Sequence, residues 1–275
     1  MSGILYVTGT PIGNLNDMSP RALETLEIVD FIAAEDTRVT LKLLNRFSIK
    51  KPMISYYEHN IRERGEVIIS RIENGENCAL VTDAGMPAIS DPGEDLVRLC
   101  REKGIEVISI PGPCAMAAAL SVSGMPSGRF CFEGFLSVNK KSRFAHLEEL
   151  KTEQRTMIFY EAPHKFFATV SDMLSCFGDR KIAIVRELTK IHEEVINTTL
   201  ANAVKKYEEE KIKGEIVLIV EGAAKPDEMK MTLGEAVSLA REHIENGSST
   251  SEAAKLAAAK SGIKKGEIYK MLTEF

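Results

Sequence analysis

The sequence lacks the patterns that mark secreted, membrane and disulfide-bonded proteins. No apolar run in its 275 residues approaches the length of a transmembrane helix, and the first residues show no basic region followed by a long apolar stretch. The five cysteines are scattered and odd in number, without a CxxC pair, which is typical of reduced thiols. We therefore expect a cytoplasmic protein with no membrane partner.

The motifs of common cofactors and of covalent catalysis are also missing. No GxGxxG follows the first apolar run, and no GxxxxGK[ST] occurs. The five histidines form no HxxxH or HExxH pair, so we expect no metal. No GxSxG motif or Cys/His arrangement indicates a covalent nucleophile. What remains is a cleft for a small molecule.

Composition describes a soluble globular chain, with 44% hydrophobic and 27% charged residues, long enough for two domains. The formal net charge of −5 argues against a generally basic surface, although basic residues cluster locally and one face can still contact a polyanion. Solvated lysines on helix surfaces would give the same pattern. The clusters are Lys140, Lys141 and Arg143, and Lys255, Lys260, Lys264, Lys265 and Lys270.

Three apolar runs in the first 115 residues each end in a loop that contains glycine and proline. They are ILYVTGTPIGN (4–14), CALVTDAGMPAISDPG (78–93) and EVISIPGPCA (106–115). Such runs are typical of buried strands, and the edge where their loops meet is where open α/β sheets bind ligands. Ordinary turns are the alternative, but Asp83 and Asp91 beside the middle loop favour a site. Because proline has no N–H for a phosphate, we expect the prolines to wall a small ligand. These are Pro11, Pro87, Pro92, Pro111 and Pro113.

Apolar runs alternate with segments of helical periodicity, which predicts a mostly parallel sheet with helices on its faces. We predict an N-terminal α/β domain over 1–115 and a second α/β domain over 116–222, with strands at about 130–136, 156–163, 181–188 and 215–222. The polar stretch 223–231 has the composition of a linker.

Residues 232–275 are predicted to form a small helical module. Thr232 with Glu235, and Ser249 with Glu252, have the spacing of capping boxes. The small and apolar residues that follow have the spacing of a helix-turn-helix. Together with the local lysines, this pattern favours contact with a nucleic acid, while a helical cap or a dimer contact is the alternative.

Polar residues collect after several predicted strands, at 35–38, 58–60, 160–165 and 186–192. One interpretation is a polar entrance to the cleft that binds an acceptor substrate, and the other is an ion-paired surface. The candidate substrate contacts are Arg38, His59, Asn60, His164 and Lys190, together with Lys264 and Lys265 of the helical module.

Eight segments in order resemble the bacterial 16S ribosomal RNA ribose methyltransferases of the tetrapyrrole methylase-like superfamily. They are LYVTGTPIGNLNDMSPRAL, AAEDTR, VTDAGMPAISDPG, SIPGPCA, FEGFL, YEAPHK, RELTK and GEIVLIVEG. The resemblance covers about 1–222, and residues 232–275 resemble the helical domain appended in that family. It implies two α/β domains with S-adenosylmethionine (SAM) between them, a homodimer, and 2′-O-methylation of a cytidine ribose in the decoding region of 16S rRNA in the small ribosomal subunit.

The same resemblance implies which residues contact SAM. They are Pro11, Gly85, Met86, Pro87, Ile89, Cys114, Ala115, Tyr160, Glu161, Leu188, Gly214, Glu215 and Ile216. Many tetrapyrrole methylases have Gly-Asp-Pro where this chain has Gly85-Met86-Pro87, which argues against a tetrapyrrole substrate. The contact made by that Asp must then be lost or come from another residue.

Methyl transfer from a sulfonium needs neither a metal nor a covalent nucleophile, because positioning the acceptor hydroxyl supplies much of the acceleration. A base can then help remove the hydroxyl proton, or a cation can stabilise the developing alkoxide. Candidate bases are Asp36, Glu161 and His164, and candidate cations are Lys190 and Arg38; Lys190, Asp36 and Glu161 are the catalytic predictions. The alternatives are a SAM-dependent methylase of a tetrapyrrole or other small molecule, and a non-catalytic rRNA-binding protein.

Overall fold

The computed structural model describes residues 2–224 and 232–273. These fall into two compact units, divided along the chain after residue 223, of which the first holds both β-sheets and the second holds only helices. Most of the predicted linker, including Pro226, lies outside the described residues. The division of the first unit at 115/116 stays a prediction.

The first sheet is parallel throughout, and its strand order is β3-β2-β4-β1-β5. Its strands are β1 (Ile4–Thr8), β2 (Phe31–Ala34), β3 (Met53–Ser55), β4 (Cys78–Val81) and β5 (Glu106–Ile110). Helices α1 (Pro20–Ile28), α2 (Thr37–Arg46), α3 (Ile61–Glu73) and α4 (Gly93–Glu102) connect them. β2 and β4 are buried along their whole length because apolar clusters cover both faces of the sheet.

The second sheet is mixed, so the expectation of mostly parallel strands throughout the chain is wrong here. Its order is β6-β7-β10-β8-β9, and only the β6–β7 pair is parallel. The loop 187–193 is too short for a parallel crossover, so β9, which the sequence analysis missed, returns antiparallel. The strands are β6 (Phe130–Phe135), β7 (Thr156–Glu161), β8 (Lys181–Arg186), β9 (Glu194–Thr199) and β10 (Ile216–Val220).

Helices cover both faces of this sheet. One face packs on α6 (Lys140–Glu149), α7 (Phe166–Phe177) and α8 (Leu200–Tyr207), and the other packs on α5 (Ala115–Ser123). Ile12, from the first loop of the other sheet, is buried in the cluster on the α5 face together with Leu188. This contact brings the loops of the first sheet against the second sheet.

The C-terminal unit consists of α9 (Leu233–Glu245), α10 (Thr250–Ser261) and α11 (Lys265–Thr273) around an alanine-rich core. Thr232 and Glu235 form the predicted capping box, and the Ser249 side chain accepts the Glu252 N–H. Gly262 ends α10 in the left-handed conformation, after which Ile268 is fully buried. The predicted small helical module is confirmed.

The three Gly/Pro loops are bound to one another by backbone contacts. A Cβ added to Gly9 would lie 2.7 Å from Gly112 Cα, so the first and third loops meet where neither has a side chain. Thr10 and Gly85 form an isolated two-way bridge between the first and middle loops, with N–O distances of 2.9 and 3.2 Å. The ligand-binding edge of the sheet is therefore one connected body.

We expect Gly9→Ala to destabilise the protein, because the added methyl group would overlap backbone atoms of the third loop. Overpacking of this kind costs roughly 1–3 kcal/mol in the free energy of unfolding. Gly128→Ala is the matched control, since a Cβ there has no heavy atom within 4 Å. Urea denaturation of both variants measures the difference, and equal midpoints would contradict the close approach.

Candidate active site

A cavity of about 400 Å³ lies where the loops of the first sheet meet the second sheet. It lies at the carboxyl edge of the parallel strands, as expected for an open α/β sheet. Its wall includes residues from the middle loop, the starts of α5 and β10, and the ends of β7 and β8. The lining residues are Ile12, Glu35, Thr82, Asp83, Ala84, Gly85, Met86, Ile89, Ser90, Asp91, Cys114, Ala115, Phe135, Tyr160, Glu161, Ala162, Pro163, Val185, Leu188, Glu215, Ile216 and Val217.

The charge of this lining is of one sign. It contains five carboxylates, and no lysine or arginine is among the described residues that line it. Burial raises the pKa of Asp91, and burial together with the charge of Glu35 raises the pKa of Asp83. A cavity with this lining favours a ligand that carries positive charge and hydroxyl or amino donors.

The middle loop is shaped by three residues with positive φ, which are Gly85 (94°), Ala88 (64°) and Ser90 (66°). Two of them carry side chains in a region that L-residues rarely adopt. Asp91 holds this shape, because its Oδ1 accepts the Ala88 N–H at 3.0 Å and the Gly93 N–H at 2.7 Å. Asp91 is thus part of the loop's frame as well as the cavity wall.

The opposite wall is aromatic and apolar. The Tyr160 hydroxyl accepts the Met116 N–H at 3.1 Å, and burial raises the pKa of Tyr160 to about 12. Its ring meets Phe132 and Phe135 edge to face, with centroid distances of 4.9 and 5.5 Å. Val185 and Leu188 extend the apolar surface. This wall suits a flat, weakly polar group.

Glu161, a predicted catalytic residue, lines the cavity but is almost fully buried. It accepts hydrogen bonds from the Thr169 hydroxyl and from the Ala162 N–H at 2.8 Å, and Lys165 Nζ lies 3.3 Å away. These contacts fix the orientation of the carboxyl group beside the aromatic wall.

Lys190, the second predicted catalytic residue, is not part of the lining. Its Nζ lies 2.9 Å from a Glu187 oxygen and 3.0 Å from a Glu215 oxygen. Burial opposes its charge, but hydrogen bonds to Glu187 and Glu215 outweigh burial and raise its pKa. Because Glu215 does line the cavity, Lys190 is joined to the site through that carboxylate.

Asp36, the third predicted catalytic residue, caps helix α2 outside the lining. Its carboxylate accepts the Arg38 N–H at 2.8 Å and pairs with the Arg38 guanidinium at 2.6 Å. These bonds lower the pKa of Asp36 to about 2, which makes it a weak base near neutral pH.

Ten of the thirteen predicted SAM contacts line the cavity, and Pro11, Pro87 and Gly214 do not. Gly214 lies behind the wall, where a Cβ would overlap the Glu187 side chain. None of the five loop prolines that were expected to wall the ligand lines this cavity, and the only proline among the described lining residues is Pro163. Small residues and carboxylates form the wall, since the loops turn their backbone and short side chains inward.

The predicted substrate contacts are spread over several surfaces. Arg38, His59 and His164 are exposed, whereas the Asn60 side chain closes the turn after β3 by bonding to Tyr57 N–H and Ser55 O. Lys264 and Lys265 are exposed on the C-terminal unit, where Lys265 Nζ lies 3.0 Å from Ser251 Oγ.

The sequence analysis took Asp83 and Asp91 as signs of a site and placed Glu35 in a polar cluster, but it gave none of these three lining carboxylates an individual role. A signal was present, because Glu35 follows β2 directly and Asp83 follows β4 after one residue. Both positions belong to the ligand-binding edge of a parallel sheet. No group of three or more His, Cys, Asp or Glu residues that could hold a metal ion occurs within 2–224 or 232–273. Within those ranges, no helix is long and apolar enough to span a bilayer.

Comparison with known proteins gives the family. The sequence profile of the Tetrapyrrole (Corrin/Porphyrin) Methylases matches residues 4–204. The chain belongs to the tetrapyrrole (corrin/porphyrin) methylase family. Its fold is similar to a crystal structure of uroporphyrin-III-C-methyltransferase from Thermus thermophilus, with a TM-score of 0.57 and 17% identity, covering 80% of this chain and 94% of that one.

Two relatives share a more specific name, ribosomal RNA small subunit methyltransferase I. The Synechocystis protein is 44% identical over 273 residues, which are 99% of this chain and 98% of the relative. The Thermotoga maritima protein is 46% identical over 220 residues, which are 80% of this chain and 99% of the relative. The second relative is therefore about as long as the first unit of this family member.

We predict that Cys114 is the cysteine most reactive towards iodoacetamide. Burial raises the pKa of Cys78, Cys100, Cys131 and Cys176, so their reactive thiolates are scarce, whereas Cys114 lines the cavity. Peptide mass spectrometry of the folded protein at successive times measures the labelling rate of each of the five cysteines. The Cys114→Ser variant is the control. Faster labelling of any other cysteine would contradict this placement.

Proposed function

We propose that this protein transfers a methyl group from SAM to the RNA of the small ribosomal subunit. The observation that carries the proposal is the acidic cavity at the loop edge of a methylase fold, in a chain that matches relatives of that activity over nearly its whole length. The family profile matches about seven-tenths of the chain. That part contains every residue of the cavity lining except Glu215, Ile216 and Val217.

The residues of the cavity fit SAM in charge and in shape. SAM carries an ammonium, a sulfonium, two ribose hydroxyls and a flat adenine, and when bound it supplies a methyl group already activated for transfer. The carboxylates can pair with the positive groups and accept hydrogen bonds from the hydroxyls, while Tyr160, Leu188 and Ile216 offer an apolar surface for the adenine ring. Asp83 and Asp91 supply acidic groups in a loop that lacks the Gly-Asp-Pro aspartate.

Asp83 is the proton acceptor that the geometry supports best. It lines the cavity yet is exposed, so an acceptor hydroxyl can reach it. Its raised pKa makes it a stronger base than Asp36, and the Asp36 N–H orients it through a 3.1 Å hydrogen bond to Oδ1. When an acceptor hydroxyl is methylated, the Asp83 carboxylate would accept the proton that the hydroxyl loses.

Glu161 and Lys190 have supporting roles in this proposal. Glu161 is a buried carboxyl group at the cavity wall, suited to hold the cofactor, and Lys190 is a positioning residue that orients Glu215. Lys190→Ala should therefore weaken SAM binding more than it slows single-turnover transfer at saturating SAM. A large loss in that saturated rate would instead favour direct catalysis by Lys190.

The acceptor atom follows from the resemblance of the eight sequence segments. We propose the 2′-hydroxyl of a cytidine in the decoding region, because an RNA ribose hydroxyl needs only positioning and a base. Nuclease digestion of methylated rRNA followed by mass spectrometry identifies the nucleotide. The homodimer implied by the resemblance belongs to the same proposal, and sedimentation equilibrium tests it.

The C-terminal unit is proposed to add RNA affinity. The Thermotoga maritima relative supports this division of labour, because its length leaves no room for a C-terminal unit of this size beside a complete α/β unit. Replacing Lys264 and Lys265 with alanine should lower the salt dependence of RNA binding, by about one unit of slope for each lost phosphate contact.

The activity is tested by offering labelled SAM with 30S subunits, naked 16S rRNA or a porphyrinogen. We expect label in the RNA of one of the first two samples. In the Asp83→Asn enzyme, we expect the single-turnover rate to fall by about 10²–10⁴, the usual contribution of a general base. Asp17→Asn, which alters an exposed carboxylate outside the cavity lining, should keep the full rate.

Label in the porphyrinogen alone would overturn the RNA assignment and favour a small-molecule methylase. Label in none of the samples, with RNA still bound, would favour a non-catalytic RNA-binding protein. An Asp83→Asn enzyme with the normal rate would leave the activity standing and remove Asp83 from the proton transfer.

A further inference from the structure

A register shift in β6 turns the side chain of Phe135 towards the cavity, whose wall it joins. Phe132 pairs with Ile158 of β7 and Phe135 pairs with Tyr160, so three steps along β6 match two steps along β7. Because side chains alternate between the two faces of a strand, an unbroken β6 would put Phe132 and Phe135 on opposite faces. With one extra residue in β6, both rings lie on the face of Tyr160 and meet its ring.

The extra residue is Glu133, which is held on the other face of the sheet. Its Oε2 lies 3.0 Å from Nε2 of His146 on α6, one of the helices that cover that face. Gly134 follows with a φ of 63°, a left-handed conformation that favours glycine. A Cβ on Gly134 would lie 3.2 Å from Ser90 Oγ, so this bulge also contacts the middle loop. These contacts fix the direction in which Phe135 leaves the strand.

Phe135 is exposed although it lines the cavity. The residue is 54% exposed, whereas Leu188 of the same lining is buried. Lys165 Nζ lies over the ring, 5.6 Å from its centroid, and also lies 3.3 Å from a Glu161 oxygen. The ring is therefore held between Tyr160 and Lys165 while more than half of the residue stays open. Little ordering remains to be done when a ligand binds to it.

Other exposed residues of the lining come from the middle loop, namely Asp83, Ile89 and Ser90. Together with Phe135 they form what we call the rim of the cavity. The cavity of about 400 Å³ is near the lower end of the range for small-molecule sites, roughly 300–1,000 Å³, so one cofactor occupies most of it. An acceptor nucleotide then binds at the rim, where Asp83 can take its proton.

We propose that Phe135 stacks on the base of the nucleotide being methylated and so positions its ribose at the rim, within reach of Asp83. This inference rests on the proposed function and names a residue that binds the acceptor. Unstacked bases of single-stranded RNA are commonly bound on aromatic side chains. A base carries no charge, so the acidic lining does not oppose it, and the phosphates on either side of the nucleotide stay outside the cavity.

Two other occupants of the rim are a porphyrinogen and a second copy of the chain. A porphyrinogen also has apolar rings, but its own carboxylates would meet the five carboxylates of the lining and be repelled. A second copy seated on Phe135 would cover the opening through which an acceptor reaches Asp83, because the ring is part of the cavity wall. The position of the ring therefore favours the acceptor base.

The test measures kcat/KM for the acceptor that the unaltered chain labels, 30S subunits or 16S rRNA, at saturating SAM. Phe135→Leu, which keeps an apolar side chain but removes the ring, should lower kcat/KM about tenfold or more, the usual effect of losing one base–aromatic stack. Phe135→Tyr keeps the ring and should keep the rate. Phe130→Leu is the matched control with the full rate expected, since Phe130 is 40% exposed on the same strand and outside the cavity lining.

A second readout uses the absence of tryptophan from the chain, because Phe135→Trp then carries a single fluorescent indole at the rim. Stacking of a base on this indole quenches its fluorescence. We expect quenching when the acceptor RNA is added and little change when SAM alone is added. Phe130→Trp, measured with the same acceptor, gives the background. This readout does not depend on the folding of Phe135→Leu.

Calorimetry with SAM should give the same affinity for Phe135→Leu as for the unaltered chain, which separates acceptor binding from cofactor binding. A loss of SAM affinity as large as the loss of kcat/KM would assign Phe135 to the cofactor and overturn the inference. If Phe135→Leu methylates the RNA normally, the inference is overturned while the proposed function stands, and a lower sedimenting mass in that variant would make the rim a self-association site. If the unaltered chain methylates no RNA, the proposed function is itself overturned.

Discussion

The site depends on the close backbone contact between the loops that leave the first sheet. Gly9 meets Gly112 with no side chain between them, and Thr10 bonds to Gly85 in both directions. Because these contacts are between backbones and not between side chains, they fix the position of the middle loop relative to the first and third loops. The strained conformations at Ala88 and Ser90 persist only because this frame and Asp91 hold them.

The charge of the loop edge is concentrated at the cavity. The cavity has an acidic lining, and Lys165 and Lys190 each pair with a carboxylate that lines it. One or two strands away, the exposed cations Arg38, Arg62 and Arg64 lie among Asp36, Glu58 and Glu63, so positive and negative groups are balanced there. The acidic lining itself therefore favours the cationic cofactor proposed for the cavity.

The sequence predicted the strands and loops that form this site, because buried apolar runs and Gly/Pro boundaries are local signals. The small helical module was predicted for the same reason, from the capping residues Thr232 and Glu235. One partner of Lys190, Glu187, is close to it in the chain, but the other, Glu215, lies just before β10 and could not be predicted from the sequence. The mixed second sheet was missed because β10 inserts between β7 and β8, which follow one another in the chain. Composition also does not tell which way a loop faces, so it could not show that the five loop prolines lie outside the cavity lining.

The central claim is that the acidic cavity binds SAM, and calorimetric titration of SAM into the whole chain tests it directly. The account predicts micromolar affinity near neutral pH, the range typical of cofactors, and no binding by a folded Ala115→Trp variant, whose indole would fill the cavity. Because the pKa values of Asp83 and Asp91 are raised, these groups regain protons at a higher pH than ordinary aspartates, so affinity should begin to weaken earlier as the pH falls. Equal affinity in the folded Ala115→Trp variant, or affinity that is unchanged as the carboxylates protonate, would contradict the account.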